Sequence, residues 1–328
     1  MNYKEYSKQL LDLTEQELAT YIPSFQPEEI YVPFRYIMSG GGKRIRPILA
    51  MLACGAISGK CETALEAACA IEILHNFTLA HDDVMDNSPT RRGRPTVHTK
   101  WDEPTAILTG DIMVGYAYRI LGKYAGSKRF PEIIENLNTA LIEVCEGQAY
   151  DMQFNTNPEV SLENYILMID KKTAALLEAS VKFGGLVADA TDEQIDILVH
   201  SYAYPLGIAF QIQDDLLDIT ADQAVFGKPT GQDILEGKKS YLILKAKELA
   251  SEPADLELID KYMHSEGLTA EYIPVMKDMF ARTGVFDAAE KDIDEYLTSA
   301  ENALSKLPQN QYTEMLAALA RSLNKRNI

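Results

Sequence analysis

The chain has 328 residues, with 46% hydrophobic and 24% charged, enough for one large or two medium soluble domains with a sizeable core. A formal net charge of −18 and a pI near 4.7 exclude nucleic acid or an anionic membrane as the general partner, because both need a basic face. The polar opening Met1–Lys8 is no signal peptide, and no stretch reaches the ~18 uninterrupted apolar residues of a membrane span, so the chain reads as soluble and cytoplasmic.

In chain order, residues 3–20 space Tyr6, Leu10, Leu13 and Leu18 as a helix does, until Pro23 and Pro27 interrupt. Glu28 to Met38 is a short helix. The next stretch, Ser39-Gly-Gly-Gly-Lys-Arg-Ile-Arg-Pro47, can bring backbone N–H groups close to a ligand. Its cations Lys43, Arg44 and Arg46 have no acid nearby in sequence, and Pro47 suits the first turn of a helix from Ile48 to Ile57. The GxxxxGK[ST] spacing of a Walker loop is absent. A basic helix N-terminus in an acidic chain points to phosphate.

From Cys61 to His81 the sequence is Ala-rich, apolar and free of Pro and Gly, which favours helix. It runs into Asp82, Asp83 and Asp86, the first DDxxD motif. Asp82 and Asp86 lie one turn apart on one face. Crowded carboxylates repel, so a hard divalent cation belongs between them; Mg2+ takes one or two protein carboxylates plus phosphate oxygens. A lone acidic cluster is commonly just a solvated face. The loop Ser88–Thr96 follows, with Arg91, Arg92 and Arg94, whose planar forks suit phosphate oxygens.

Thr105 to Tyr124 and Glu132 to Phe154 are helices, the second containing Glu146-Gly-Gln-Ala-Tyr-Asp151. Ser161 caps another. Lys171 to Leu186 is an apolar helix headed by Lys172 and Thr173, a cation and a hydroxyl that either face a pocket or simply start the helix in solvent. Asp192 to Ile219 reads as one helix carrying the second DDxxD, Asp214, Asp215 and Asp218, in an apolar run where unpaired charge would be expensive. Gln211 lies near its face. The Gly- and Pro-containing stretch Ala221–Gly231 is a loop flanked by Lys228 and Lys238, cations suited to a lid. Residues 252–326 form amphipathic helices without evident chemistry. The four cysteines, Cys54, Cys61, Cys69 and Cys145, form no CxxC pair and read as buried reduced thiols. Convincing β-alternation is absent. The sequence predicts one all-α domain over residues 1–328, with the two aspartate helices facing each other across a deep central cavity.

GGGKRIRP, HNFTLAHDDVMD with RRGRP, KT, FQIQDDLLD, GKP and EGKKS, in that order, resemble the trans-isoprenyl diphosphate synthases, the polyprenyl synthetase family. The resemblance covers almost the whole chain, most clearly residues 39–242. It implies an isoprenoid synthase-type helical bundle, a homodimer, and Mg2+-dependent condensation of isopentenyl diphosphate with an allylic diphosphate, with three ions when substrate is bound. By resemblance, Lys43, Arg46, His75 and Arg92 hold the isopentenyl diphosphate. Arg91, Lys172, Thr173, Gln211, Lys228 and Lys238 hold the allylic diphosphate. Asp82, Asp86 and Asp214 carry most of the metal coordination, and Asp83, Asp215 and Asp218 support it directly or through water. Asp82, Asp86, Asp214, Lys172 and Lys228 form the catalytic set. Ser240 stands where the family often has Thr, which keeps the hydroxyl. No dedicated base is evident, and the released diphosphate is the proton acceptor that the resemblance implies.

Residues preceding Asp82 descend ~1.5 Å each, placing Phe77 about 7.5 Å below it. An ideal helix points Ile71, His75 and Thr78 more directly along the Asp82 stripe, so geometry alone does not make Phe77 a floor. The resemblance adds that short-chain members often carry a bulky aromatic five positions before the first aspartate. With Thr78 at the fourth position and no insertion in DDVMD, it implies geranylgeranyl diphosphate as product, with farnesyl diphosphate as the alternative. A terpene cyclase would not need GGGKRIRP for a second diphosphate, and a non-catalytic regulatory subunit or acidic scaffold could have lost some of these positions.

Overall fold

The computed structural model describes residues 3–22, 25–221 and 230–324. The chain divides into two compact units, each assembled from three chain segments. Among the described residues no helix is long and apolar enough to cross a membrane.

The first unit comprises residues 1–144, 176–201 and 303–319. Its helices include α1 (Tyr3–Tyr21), α2 (Glu28–Met38), α3 (Ile45–Ser58), α4 (Leu65–Met85), α5 (Val97–Lys100) and α6 (Glu103–Leu121). The sequence Ala67-Ala-Cys-Ala-Ile-Glu-Ile-Leu74 is buried on every side of α4. Small residues let α1, α3 and α6 approach it closely. Leu18, Phe34, Ile71, Tyr116 and Phe183 join the same core. Helix α6 starts where the Asp102 side chain accepts the Thr105 N–H at 2.7 Å, with Pro104 in its first turn. The helical run before the aspartates begins with a short 3-10 turn, Glu62–Ala64. The segment after them, expected as loop, contains a two-stranded hairpin, β1 (Thr90–Arg91) and β2 (Arg94–Pro95), too short to show alternation.

The second unit comprises residues 145–175, 202–302 and 320–328. The 26-residue α7 (Phe130–Asn155) enters it at Cys145. Helix α8 (Leu162–Ile169) opens with a full capping box at Ser161 and Asn164. It continues into a π-helical turn, Asp170–Ala174, and then α9 (Ala175–Val187). The long helix expected from Asp192 to Ile219 is instead α10 (Asp192–Asp196), a second π-helical stretch Ile197–Ala203, and α11 (Tyr204–Thr220). Extra-residue turns of this kind have no simple sequence signature and concentrate at functional sites. Two glycines press neighbouring helices onto the first π-turn. A Cβ at Gly147 of α7 would lie 2.3 Å from the Lys172 nitrogen, and one at Gly207 of α11 would lie 2.5 Å from the Ala174 Cβ. The turn bearing Lys172 and Thr173 is thus pinned on two sides. Cys54, Cys61 and Cys69 are buried as expected, whereas Cys145 is exposed, because its position on α7 faces outward.

Candidate active site

In the first unit, Arg44 starts α3 with φ of 47° and is 97% buried. Its guanidinium donates to Glu15 of α1 at 2.7 Å, Glu72 of α4 at 2.6 Å and the Met38 carbonyl at the end of α2 at 2.9 Å. The acids absent near GGGKRIRP in sequence are supplied in space by α1 and α4. Arg44 therefore fixes the loop, while Lys43 beside it is exposed. Arg46 Nη1 lies 3.2 Å from His75 Nε2. Burial, reinforced by Arg46, Arg92, Arg91 and Arg44, holds the His75 imidazole well below its ordinary pKa. His75 is therefore neutral at pH 7, with Nε2 accepting from Arg46 and the proton on Nδ1.

The hairpin after α4 turns at Arg92 and Gly93, with φ of 51° and 72°. Positive φ at both central residues is what a two-residue hairpin turn requires, and the first of them usually favours Asn or Asp. Arg92 at that tip donates to the Gly41 carbonyl of the glycine loop. Arg94 donates to Ser39 Oγ at 3.2 Å and stacks 4.0 Å over the Tyr36 ring, whose hydroxyl donates to the Pro95 carbonyl at 2.7 Å. The two basic segments are thus stitched together.

The three acids of the first motif are not equivalent. Asp82 is half-buried and Asp86 exposed, whereas Asp83 turns inward and pairs with Arg91 Nε at 2.7 Å. Burial pushes the Asp83 carboxyl above its ordinary value despite the pull of Arg91. Arg91, expected to hold an allylic diphosphate, has its Nε engaged by Asp83 in this structure. Thr78 is buried, its hydroxyl donating to the His75 carbonyl at 2.8 Å. Phe77 is 92% buried in the core, edge-on to His81 with 4.7 Å between ring centroids.

In the second unit, an open cleft of about 540 Å³ is lined by Asp151, Lys172, Thr173, Gln211, Asp215, Lys238 and their neighbours. Lys172 Nζ lies 2.5 Å and Lys238 Nζ 3.4 Å from Asp151 Oδ2. Burial would raise the Asp151 carboxyl, but these two ammonium groups outweigh it and hold the acid below its ordinary value. Asp151 is a site residue the sequence reading quoted without a role. Its partners lie 21 and 87 positions away, so no local spacing announces it. Lys228 falls outside the described residues.

The second motif repeats the inequivalence of the first. Asp214 and Asp218 are half-buried, while Asp215 is 94% buried. Asp215 accepts from the Tyr165 hydroxyl at 2.6 Å, the Tyr241 backbone N–H at 2.9 Å and Gln211 Nε2 at 3.0 Å. Gln211 Oε1 accepts in turn from the Thr173 hydroxyl at 2.9 Å. Burial raises Asp215 to about 6, against the lowering effect of those donors. Asp218 accepts the backbone N–H groups of Gln232 and Asp233 at 3.2 and 3.1 Å, at the start of the helix Gln232–Glu236. The expectation that Asp215 and Asp218 support a metal thus meets carboxylates already bound to protein donors. Asp233, close enough to Asp215 and Asp218 for their charges to act on it, has a carboxyl raised well above its ordinary value by burial and by those two acids.

Residues 27–277 match the polyprenyl synthetase family. The chain belongs to that family. It is 42% identical over 255 residues to a short chain isoprenyl diphosphate synthase of Methanocaldococcus jannaschii, covering 78% of this chain and 77% of that protein. The crystal structure of a geranylgeranyl pyrophosphate synthetase from Pyrococcus horikoshii is similar over 100% of both chains, at 34% identity and a TM-score of 0.91. A polyprenyl synthase from Caulobacter crescentus, solved with calcium and isoprenyl diphosphate, is 26% identical with a TM-score of 0.89, covering 99% of this chain and 97% of that one. The all-α fold of this polyprenyl synthetase is the fold of these neighbours. Within it, each unit carries one basic cluster and one aspartate motif.

Proposed function

We propose that this polyprenyl synthetase is a short-chain trans-prenyltransferase that condenses isopentenyl diphosphate with allylic diphosphates to geranylgeranyl diphosphate. The observation that carries the reading is the duplication of the anion site. A cationic cluster around neutral His75 accompanies Asp82 and Asp86, and a lysine pair on Asp151 accompanies Asp214. Two diphosphate substrates need two such clusters, whereas a cyclase substrate needs one and a scaffold none. The relatives named as short-chain and geranylgeranyl synthases favour the twenty-carbon product over farnesyl diphosphate.

The donor set suits Mg2+. Asp82 and Asp214, half-buried, and Asp86, exposed, offer the hard carboxylate oxygens that would hold Mg2+ together with phosphate oxygens. When bound, the metal would supply Lewis-acid neutralisation of the leaving diphosphate. Lys172 and Lys238, with Lys228 from the 222–229 stretch, hold that leaving group, and Gln211 and Thr173 orient it. Lys43, Arg46, His75 and Arg92 hold isopentenyl diphosphate. Preorganised cations of this kind stabilise the charge that develops on ionisation. The allylic cation is then attacked by the isopentenyl double bond, and the condensed cation loses a proton to the released diphosphate. Residues 1–328 act as one polyprenyl synthetase domain, as a homodimer in the cytoplasm.

The test incubates the protein with isopentenyl diphosphate, dimethylallyl diphosphate and Mg2+ and reads products by mass spectrometry. Geranylgeranyl diphosphate is expected. Cyclised hydrocarbon makes it a cyclase, and no turnover makes it a scaffold.

A further inference from the structure

We propose that Tyr165 is a positioning residue for the allylic-diphosphate set, acting through Asp215, and that Asp215 orients protein groups rather than ligating the metal. The inference rests on the proposed function, which supplies the ligand.

An ionised carboxylate is acceptor-only, and each Asp215 oxygen already has a donor. Oδ2 takes the Tyr165 hydroxyl and the Tyr241 N–H, and Oδ1 takes Gln211 Nε2. That last bond fixes which way the Gln211 amide faces. Its Oε1 then faces Thr173, and Nε2 keeps a second hydrogen to offer a phosphate oxygen. The Tyr241 bond has a separate consequence. Lys238 lies three residues before Tyr241 and reaches Asp151 at 3.4 Å, so the same carboxylate fixes the segment that carries this cation.

Of the three donors, Gln211 is on the same helix as Asp215, and Tyr241 contributes only backbone. Tyr165 is the side chain from another element that stops the carboxylate rotating. It is 98% buried on α8, its ring edge-on to that of Tyr241 at 6.4 Å, and its hydroxyl makes the shortest of the three bonds. Nothing in the proposed chemistry calls on this hydroxyl directly.

Tyr165→Phe keeps the ring and removes the donor. The expected result is a KM for geranyl diphosphate raised about 10-fold, as losing one hydrogen bond to a charged group allows, with KM for isopentenyl diphosphate within about twofold. Hydrogen exchange on the metal-free protein should show faster exchange at the Tyr241 amide. Asp215→Asn should raise the geranyl diphosphate KM similarly and leave the Mg2+ concentration for half-maximal activity within about threefold. Unchanged KM values and unchanged Tyr241 exchange in Tyr165→Phe overturn the proposal. So does a lowered Tm with both KM values raised alike, which is a packing effect. A tenfold weaker Mg2+ response in Asp215→Asn with an unaltered allylic KM makes Asp215 a ligand and also overturns it. Wild-type protein that forms no elongated product sinks the proposed function and the ligand with it, while exchange at Tyr241 still reads whether Tyr165 and Asp215 hold the segment.

Discussion

The two aspartate motifs have the same spacing, and each buries its second acid, but the buried acids are satisfied by different chemistry. Asp83 meets a permanent cation, Arg91, whose side chain is 37% exposed. Asp215 meets a phenol, an amide and a backbone N–H, all uncharged. The first arrangement leaves a guanidinium at the rim of the site with further donors for a ligand. The second leaves the lysines to Asp151 and spends neutral groups on order. The lesson is that DDxxD is not three interchangeable ligands. In both motifs the inward acid organises the segment that follows, and on the proposed function Asp82, Asp86 and Asp214 are the acids that meet the metal.

The largest test of the comparison removes one outward acid from each motif. Asp82→Ala and Asp214→Ala are each expected to lower turnover on the order of 10³-fold, as loss of a principal charge-stabilising group does. Thermal unfolding should stay at or above wild type, since mutual carboxylate repulsion is relieved. Near-normal turnover at saturating Mg2+ in either variant would break the equivalence of the two motifs.

Next come the cations. Arg46→Ala should raise KM for isopentenyl diphosphate about 10- to 100-fold, at roughly 1.5–3 kcal/mol for a charge-assisted hydrogen bond, with the allylic KM unchanged. Arg91→Ala should instead raise the allylic KM. Steady-state kinetics with each substrate varied in turn would expose an exchanged assignment.

Phe77→Ala addresses product length. Truncating a buried Phe typically costs about 3–5 kcal/mol, so the variant should be less stable in urea. Its products should extend beyond twenty carbons. An unchanged product distribution from folded, active variant would place the floor elsewhere.

The smallest effect concerns pH, because one basic cluster contains a histidine and the other only lysines. The His75 pKa is depressed in the folded protein, so below about 6.5 the unfolded chain binds a proton that the folded one does not. Stability from this group is therefore present above 6.5 and lost as pH falls. His75→Gln should flatten the decline in unfolding free energy below that pH, measured by urea titration; an identical slope would show that His75 titrates normally.

Much of this was legible from the residues alone. Helix α4 announced itself through an uninterrupted Ala-rich run, the aspartate motifs by their repeated DDxxD spacing, and the two basic segments by contrast with an acidic chain. What escaped depends on distance along the chain. Arg44 finds Glu15 and Glu72 29 and 28 positions away, and Tyr165 finds Asp215 50 positions away, so packing rather than spacing creates those pairs. The π-turns escaped because one extra residue per turn leaves the apolar pattern nearly intact. The hairpin escaped because its turn carries Arg where Asn would have signalled it.

That arginine has a consequence for engineering. At the tip of the hairpin, Arg92 occupies a backbone conformation that a bulky side chain tolerates poorly, while its guanidinium reaches across to the glycine loop. Conformational preference and chemistry oppose each other at this one position. A thermostability screen, or a redesign scored on turn statistics, would drift toward asparagine there and give up the cation. On the proposed role of Arg92 in holding isopentenyl diphosphate, its misfit with the turn marks where selection for heat tolerance and selection for turnover part company.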